Sequence, residues 1–134
     1  MRLLLDTHFV IELIGLGIDS RAGRQPHPVL RDLTEVNVSA VSIWEVAIKS
    51  RIGKLPLVLA VEHWPQTLAS ASVPLLSIDP EHILADIGPE IDTRDPFDRL
   101  LLGVCAAENM RLVTMDRALM SHPLALRDIP LKNK

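Results

Sequence analysis

The sequence has little of several residue types, and each shortage argues against a class of protein. Cys105 is the one cysteine among 134 residues, which excludes an intramolecular disulfide and a cysteine-rich zinc site. Tyrosine is absent and aromatic residues make up 3%, which argues against a stacking platform for single-stranded nucleic acid. No apolar run reaches the ~18 to 20 residues that a membrane-spanning helix needs. Asp6 interrupts the apolar N-terminus too early for a signal peptide, so the cytoplasm is the expected location.

The net charge is also small. It is −3 at pH 7, with a pI near 5.9, which argues against a protein that binds nucleic acid through charge alone. Hydrophobic residues make up 48% and charged residues 23%, as expected of a globular chain. This length predicts one domain, residues 1–134, with room for a substantial core.

Short strand-like segments alternate with segments of helical periodicity. Strands are predicted over Arg2–Leu5, Val36–Ala40, Val73–Ile78 and Leu112–Met115, with an edge strand over Leu126–Leu131. Helices are predicted after Asp6, over Val29–Glu35, from Ser42 to near Gly53, within Leu59–Ala71, over Pro80–Ile87 and from Pro96 onward. Such alternation predicts an α/β sandwich around a mainly parallel sheet of four to five strands.

Four acidic residues stand where this topology delivers them to one place. They follow strands or open helices, and they are Asp6, Glu45, Asp98 and Asp116. The carboxyl ends of parallel strands form the binding crevice of an open α/β sheet. Carboxylates gathered there repel one another unless cations neutralise them. The pattern therefore predicts a divalent metal site, with Mg²⁺ or Mn²⁺ favoured because both prefer oxygen ligands.

Each acid also has a purely structural explanation. Asp6 and Asp116 suit the N-cap position of a helix. Glu45 completes a Ser-x-x-Glu capping box that begins at Ser42. Asp98 lies in the first turn of a helix that Asp95 is predicted to cap, where a negative charge favours the helix dipole. A binding module without catalysis would need no more than this.

Several motifs occur in order along nearly the whole chain, from Leu3 to about Asp116. They are Asp6-Thr7-His8, the stretch from Ser39 through Trp44-Glu45 to Lys49, the string Asp95-Pro96-Phe97-Asp98-Arg99-Leu100-Leu101, and Thr114-Met115-Asp116. With these motifs the chain resembles PIN-domain proteins, and among them the VapC toxins of prokaryotic toxin–antitoxin pairs. It departs from the usual pattern at Glu12 and Thr93.

The resemblance implies a compact α/β/α sandwich and a ribonuclease that uses Mg²⁺ or Mn²⁺ to hydrolyse RNA phosphodiester bonds. It also implies neutralisation by a cognate antitoxin and assembly as a homodimer. No association with a membrane is expected. The family's metal-binding and catalytic acids map onto Asp6, Glu45, Asp98 and Asp116. Thr114 would support the last of these acids through its hydroxyl.

Some alternatives remain open at this point. A metal nuclease acting on DNA and a catalytically idle PIN-like module both fit the same residues. Five basic residues are candidates for holding the RNA backbone, although exposed helix charges are usually no more than solvated: Lys49, Arg51, Lys54, Arg94 and Arg99. The apolar surfaces of the helical segments between Ala40 and Ala71 are candidates to receive an antitoxin segment or a second copy of the chain.

Overall fold

The structure, a computed structural model, describes residues 1–16, 35–55, 57, 59–92 and 95–127. The strands are β1 (Leu3–Leu5), β2 (Val36–Ser39), β3 (Leu75–Leu76) and β4 (Arg111–Val113). The α-helices are α1 (Thr7–Val10), α2 (Ala40–Arg51), α3 (Trp64–Ser70), α4 (Pro80–Leu84), α5 (Pro96–Glu108) and α6 (Arg117–Met120). A π-helical turn over Ile11–Leu16 extends α1, and a 3₁₀ turn over Val61–His63 precedes α3.

The four strands form one parallel sheet in the order β3-β2-β1-β4. The predicted α/β sandwich is therefore confirmed. Since β1 lies between β2 and β4, the carboxyl ends of these three strands are neighbours at one edge. Crossovers leave β1 for β2 and return to β4 on its other side, which creates the kind of switch point at which open α/β sheets bind ligands.

Two apolar layers cover the sheet because consecutive strand residues point to opposite faces. In β1, Leu5 packs with Phe9 and Trp64 on one face, whereas Leu4 packs with Leu101 on the other. The first layer contains α1 and α3, and the second contains α5. Burial on both faces explains why β1 is continuously apolar instead of alternating.

The elements largely follow the sequence predictions. β3 is an edge strand, as Pro74 predicts, and α3 begins late, with Pro65 in its first turn. Cys105 is buried in the core, and burial raises the pKa of its thiol to about 12. The predicted edge segment after β4 meets the sheet at Ala125, through a parallel bridge to Leu112, one residue before its predicted start.

The predicted capping box at Ser42 is wrong. Helix α2 begins three residues earlier, and Ser39 is its N-cap, accepting a hydrogen bond from the backbone N–H of Val41 at 3.0 Å. Ser42 lies inside the helix and is fully buried. Glu45 is therefore in the second turn of α2, where it has no capping function, and the structural explanation for this acid fails.

Several predictions fall outside the described residues. They concern the loop over Asp19–Pro28, most of the helix over Val29–Glu35, residues Thr93 and Arg94, and the segment 128–131. In the part of the chain that the structure describes, no helix is long and apolar enough to cross a membrane.

Candidate functional site

A cleft of about 440 Å³ opens at the carboxyl edge of the sheet, beside the ends of β1 and β4. The four acids singled out from the sequence all line it: Asp6, Glu45, Asp98 and Asp116. Each arrives on a different element, since Asp6 follows β1, Glu45 belongs to α2, Asp98 to the first turn of α5, and Asp116 follows β4. The expected gathering of carboxylates is present.

The hydroxyl of Thr114 connects the two acids that follow neighbouring strands. Thr114 is fully buried, and its Oγ1 donates to Asp6 Oδ2 at 2.6 Å. The same oxygen accepts the backbone N–H of Asp116 at 3.0 Å. The sequence predicted support for the last acid, and the structure shows that the hydroxyl orients the Asp6 carboxylate as well. Asp6 makes no side-chain cap hydrogen bond to α1, so helix capping does not account for this acid.

A second buried bond fixes α1 against α2. The hydroxyls of Thr7 and Ser42 lie 2.9 Å apart, and both residues are buried. Thr7 follows Asp6, and Ser42 lies one turn before Glu45 on α2. This contact therefore sets the spacing between two acids of the cleft.

The carboxylate of Glu45 is paired with Lys49, one turn further along α2. The Glu45 side chain is 8% exposed, whereas that of Lys49 is 44% exposed. Lys49 Nζ donates to Glu45 Oε2, and this bond raises the pKa of Lys49. The ammonium and the acid thus face each other inside the cleft.

Asp95 brings a fifth carboxylate to the cleft and acts as the predicted N-cap of α5. Its Oδ1 accepts the backbone N–H of Phe97 at 2.9 Å. Asp116 caps α6 in the same way, accepting from Ala118 at 2.8 Å. One oxygen of each residue is used for capping, and a helix cap does not prevent the other oxygen from facing the cleft.

Two of the cleft acids, Asp6 and Asp98, have raised pKa values. Burial raises the pKa of Asp98 to about 7, and the negative charge of Asp95 is the next largest cause. Burial also raises the pKa of Asp6; the bond from Thr114 opposes this shift, and the charges of Glu45 and Asp116 add to it. Raised pKa values of neighbouring carboxyl groups indicate negative charge that no nearby cation neutralises, which is common at functional sites.

The donor set fits a hard divalent cation. The four acids supply oxygen atoms, which Mg²⁺ and Mn²⁺ prefer, and the cleft is open enough to leave room for metal-bound water. Among the described residues, no three of these acids bring their oxygens within 4.8 Å of one another.

A trio that does meet the 4.8 Å distance lies near the opposite end of α5. It consists of Asp79, His82 and Glu108. His82 Nε2 faces Glu108 Oε2 at 2.8 Å, and Nδ1 accepts the backbone N–H of Asp79 at 3.2 Å. Both ring nitrogens are thus used to cap α4 and join it to α5. We assign this trio a structural role, because a metal ion would have to replace bonds that already satisfy the ring.

The basic residues proposed from the sequence have different positions. Lys49 lines the cleft, whereas Arg51 and Lys54 are exposed outside its lining. Arg99 binds the loop after α4, where it donates a hydrogen bond to the carbonyl of Ala85 at 2.9 Å and pairs with Glu90. The pairing of Lys49 with Glu45 was not predicted, although their i,i+4 spacing in a helix is a recognisable signal in the sequence.

Comparison with known proteins adds two similarities. A family model described as "PIN domain" matches residues 3–122. The chain is also similar to Ribonuclease VapC22 of Mycobacterium tuberculosis (strain ATCC 25618 / H37Rv), with 34% identity over 89 residues. That alignment covers 66% of this chain and 68% of the relative.

Proposed function

Because the chain belongs to the PIN domain family, we propose that it is a VapC-like toxin, a metal-dependent endoribonuclease that hydrolyses RNA phosphodiester bonds. The observation that carries this proposal is the convergence of four acids from separate elements in one cleft at the carboxyl edge of a parallel sheet. The relative's name, which calls it a ribonuclease, supports RNA as the substrate class.

The cofactor in this proposal is Mg²⁺ or Mn²⁺, held by Asp6, Glu45, Asp98 and Asp116. When bound, a divalent ion supplies hydroxide from a coordinated water, orients the phosphate and offsets charge on the leaving oxygen. Oxygen-only donors favour these two ions over zinc, which is found mainly with nitrogen and sulfur ligands.

The chain's own groups have distinct roles in the proposed reaction. Asp6, whose orientation is fixed by the Thr114 hydroxyl, and Asp98 are the principal metal ligands. Asp116 completes the site from the end of β4. Glu45 either binds the metal or accepts the proton of the attacking water, which requires that its carboxylate leave Lys49.

Replacing Asp6 by asparagine tests the proposal. We expect cleavage of total cellular RNA with Mg²⁺ or Mn²⁺ to fall by roughly 10²–10³-fold, the size of effect found when one group that stabilises transition-state charge is removed. Asparagine still accepts the bond from Thr114, so the fold should persist. The assay compares wild type and variant with Mg²⁺, with Mn²⁺ and with EDTA, and circular dichroism monitors folding.

Asp86→Asn is the matched control, because Asp86 is exposed, lies outside the cleft and can still accept the N–H of Gly88 as asparagine. It should cleave as wild type does. Equal cleavage by wild type and Asp6→Asn would indicate a contaminating nuclease and contradict the assignment of Asp6. Cleavage that survives EDTA would contradict metal dependence.

We also propose a cognate antitoxin and a second copy of the chain as partners, in the cytoplasm where the RNA substrate is found. The candidate dimer surface lies on α2 and at its C-terminal end, because Trp44 within the helix is 46% exposed and Ile52, just after its last residue, is 59% exposed. Trp44 packs edge-to-face on Phe97, with ring centroids 4.7 Å apart, so its ring is held in place at the surface. Ordered, exposed apolar side chains of this size favour an interface.

Trp44→Asp should convert the dimer into a monomer, because it places a charge in a surface that must lose its water on association. Sedimentation equilibrium of wild type and variant measures the mass directly. Leu84→Asp on α4 is the control, since Leu84 is 81% exposed and lies on another helix. A monomeric wild type, or a variant that keeps the dimer mass, would contradict the proposed surface.

A further inference from the structure

The Glu45–Lys49 ion pair brings a cation into a cleft lined by acids. Of the described residues lining that cleft, Lys49 alone is a lysine or arginine. Glu45 is nearly removed from water, and an uncompensated buried carboxylate is costly. Lys49 offsets that charge from within the same helix.

Other carboxylates of the cleft also act on Lys49. The bond to Glu45 is the largest cause that raises its pKa, and the charges of Asp95 and Asp98 raise it further. The ammonium therefore lies in the combined field of three acids. A divalent cation bound by the same acids would meet that ammonium as a like charge.

The nearby basic side chains do not share this position. Arg99 is held by Ala85 and Glu90, and Arg51 is exposed on α2 outside the cleft lining. Among the residues that the structure describes, Lys49 is thus the cation that directly contacts a proposed metal ligand. Its side chain is 44% exposed, which leaves the ammonium free to move from Glu45 towards solvent.

We propose that Lys49 is a built-in counter-ion of the acidic cleft, which neutralises Glu45 in the metal-free protein and competes with a divalent cation for that carboxylate. Lys49 thereby acts as a positioning residue: it holds the cleft together without metal and sets the metal concentration at which the acids are filled. This inference rests on the proposed function, because it concerns the same acids.

The test is Mn²⁺ binding by Lys49→Met in the absence of RNA, measured from the unfolding temperature across a metal titration. Methionine keeps an apolar stem of similar length and removes the charge. In EDTA we expect the variant to unfold at a lower temperature than wild type, because Glu45 loses its partner. Its apparent dissociation constant for Mn²⁺ should fall about five-fold, the equilibrium effect of one partly exposed ion pair.

Three further variants separate the pair from a general charge effect. Lys49→Arg keeps the positive charge, so its stability and its Mn²⁺ affinity should equal those of wild type. Arg51→Met removes a positive charge from the same helix and should leave both unchanged. In a Glu45→Gln background, Lys49→Met should tighten Mn²⁺ binding less than it does in wild type, because the contested carboxylate is gone and only the repulsion between like charges remains.

The outcomes are distinguishable. If Lys49→Met binds Mn²⁺ no more tightly than Arg51→Met does, the inference about Lys49 is overturned and the proposed function is not affected. An equal gain in the Glu45→Gln background would also overturn it, since the effect would then not pass through Glu45. A wild-type protein whose unfolding temperature does not respond to Mn²⁺ would overturn the metal-dependent function as well.

Discussion

Asp98→Asn should lower RNA cleavage by roughly 10²-fold or more and at the same time stabilise the metal-free protein at pH 8. Activity falls and stability rises for the same reason, which is the loss of the negative charge of Asp98. Burial raises the pKa of Asp98 from 3.8 to about 7, and the charges of Asp95, Asp6, Asp116 and Glu45 add to this shift. The negative charge that a metal ion would use is a repulsion when no cation is present.

The pH dependence follows from the direction of this shift. Between pH 3.8 and about 7, the folded protein holds a proton on Asp98 that the unfolded chain has released. Stability therefore falls as the pH rises through this window, and the penalty is complete above it. Asparagine removes the penalty. Because Asp98 is only half-buried, solvent screening limits the effect to about 1 kcal/mol, which corresponds to roughly 3 °C in unfolding temperature.

Thermal unfolding in EDTA at pH 4 and pH 8 checks the stability arm, with RNA cleavage in Mn²⁺ measured on the same samples. The gain from Asp98→Asn should be present at pH 8 and small at pH 4, whereas Asp86→Asn should change neither stability nor cleavage. Added Mn²⁺ should stabilise wild type more than Asp98→Asn. If Asp98→Asn is less stable than wild type in EDTA at pH 8, the charge of Asp98 stabilises the fold, which would contradict the proposed repulsion.

Local patterns predicted the parts of this site that follow from strand ends and helix caps. Asp6 comes directly after β1, Asp116 comes three residues after the end of β4, and Asp95-Pro96 marks the start of α5. In an all-parallel sheet the carboxyl ends of the strands meet at one edge, so topology alone brings these acids together. The gathering of the acids was therefore predictable without knowledge of any distant side-chain contact.

The errors arose where distant contacts decided between two local signals. Ser39 and Ser42 both precede plausible helix starts, and the pattern with Glu45 favoured Ser42. Ser39 caps the helix because β2 delivers the chain directly into α2, and the Ser42 hydroxyl finds Thr7, 35 residues earlier. Arg99 is similar, since its partners Ala85 and Glu90 belong to a loop whose path no periodicity predicts.

Gly103 in α5 is the position where we expect the largest loss of stability from the smallest change. Helix α5 carries Asp98 at its start and packs closely against α4 through this glycine. A Cβ at residue 103 would lie 2.0 Å from the carbonyl oxygen of His82, a distance at which the two atoms overlap. That oxygen belongs to the backbone of α4, so no side-chain rotation relieves the contact, and the two helices must separate.

Gly103→Ala should therefore destabilise the protein by about 3 kcal/mol, at the upper end of the usual cost of overpacking. Helix propensity alone predicts the opposite sign, because alanine favours a helix interior by about 1 kcal/mol over glycine. Gly53→Ala provides the control: Gly53 has a φ of 74°, but a Cβ added there would meet no atom within 4 Å, so only backbone strain of about 1 kcal/mol is expected. Urea unfolding of the three proteins gives the order directly. Stabilisation by Gly103→Ala would mean that α4 and α5 are further apart than the structure has them.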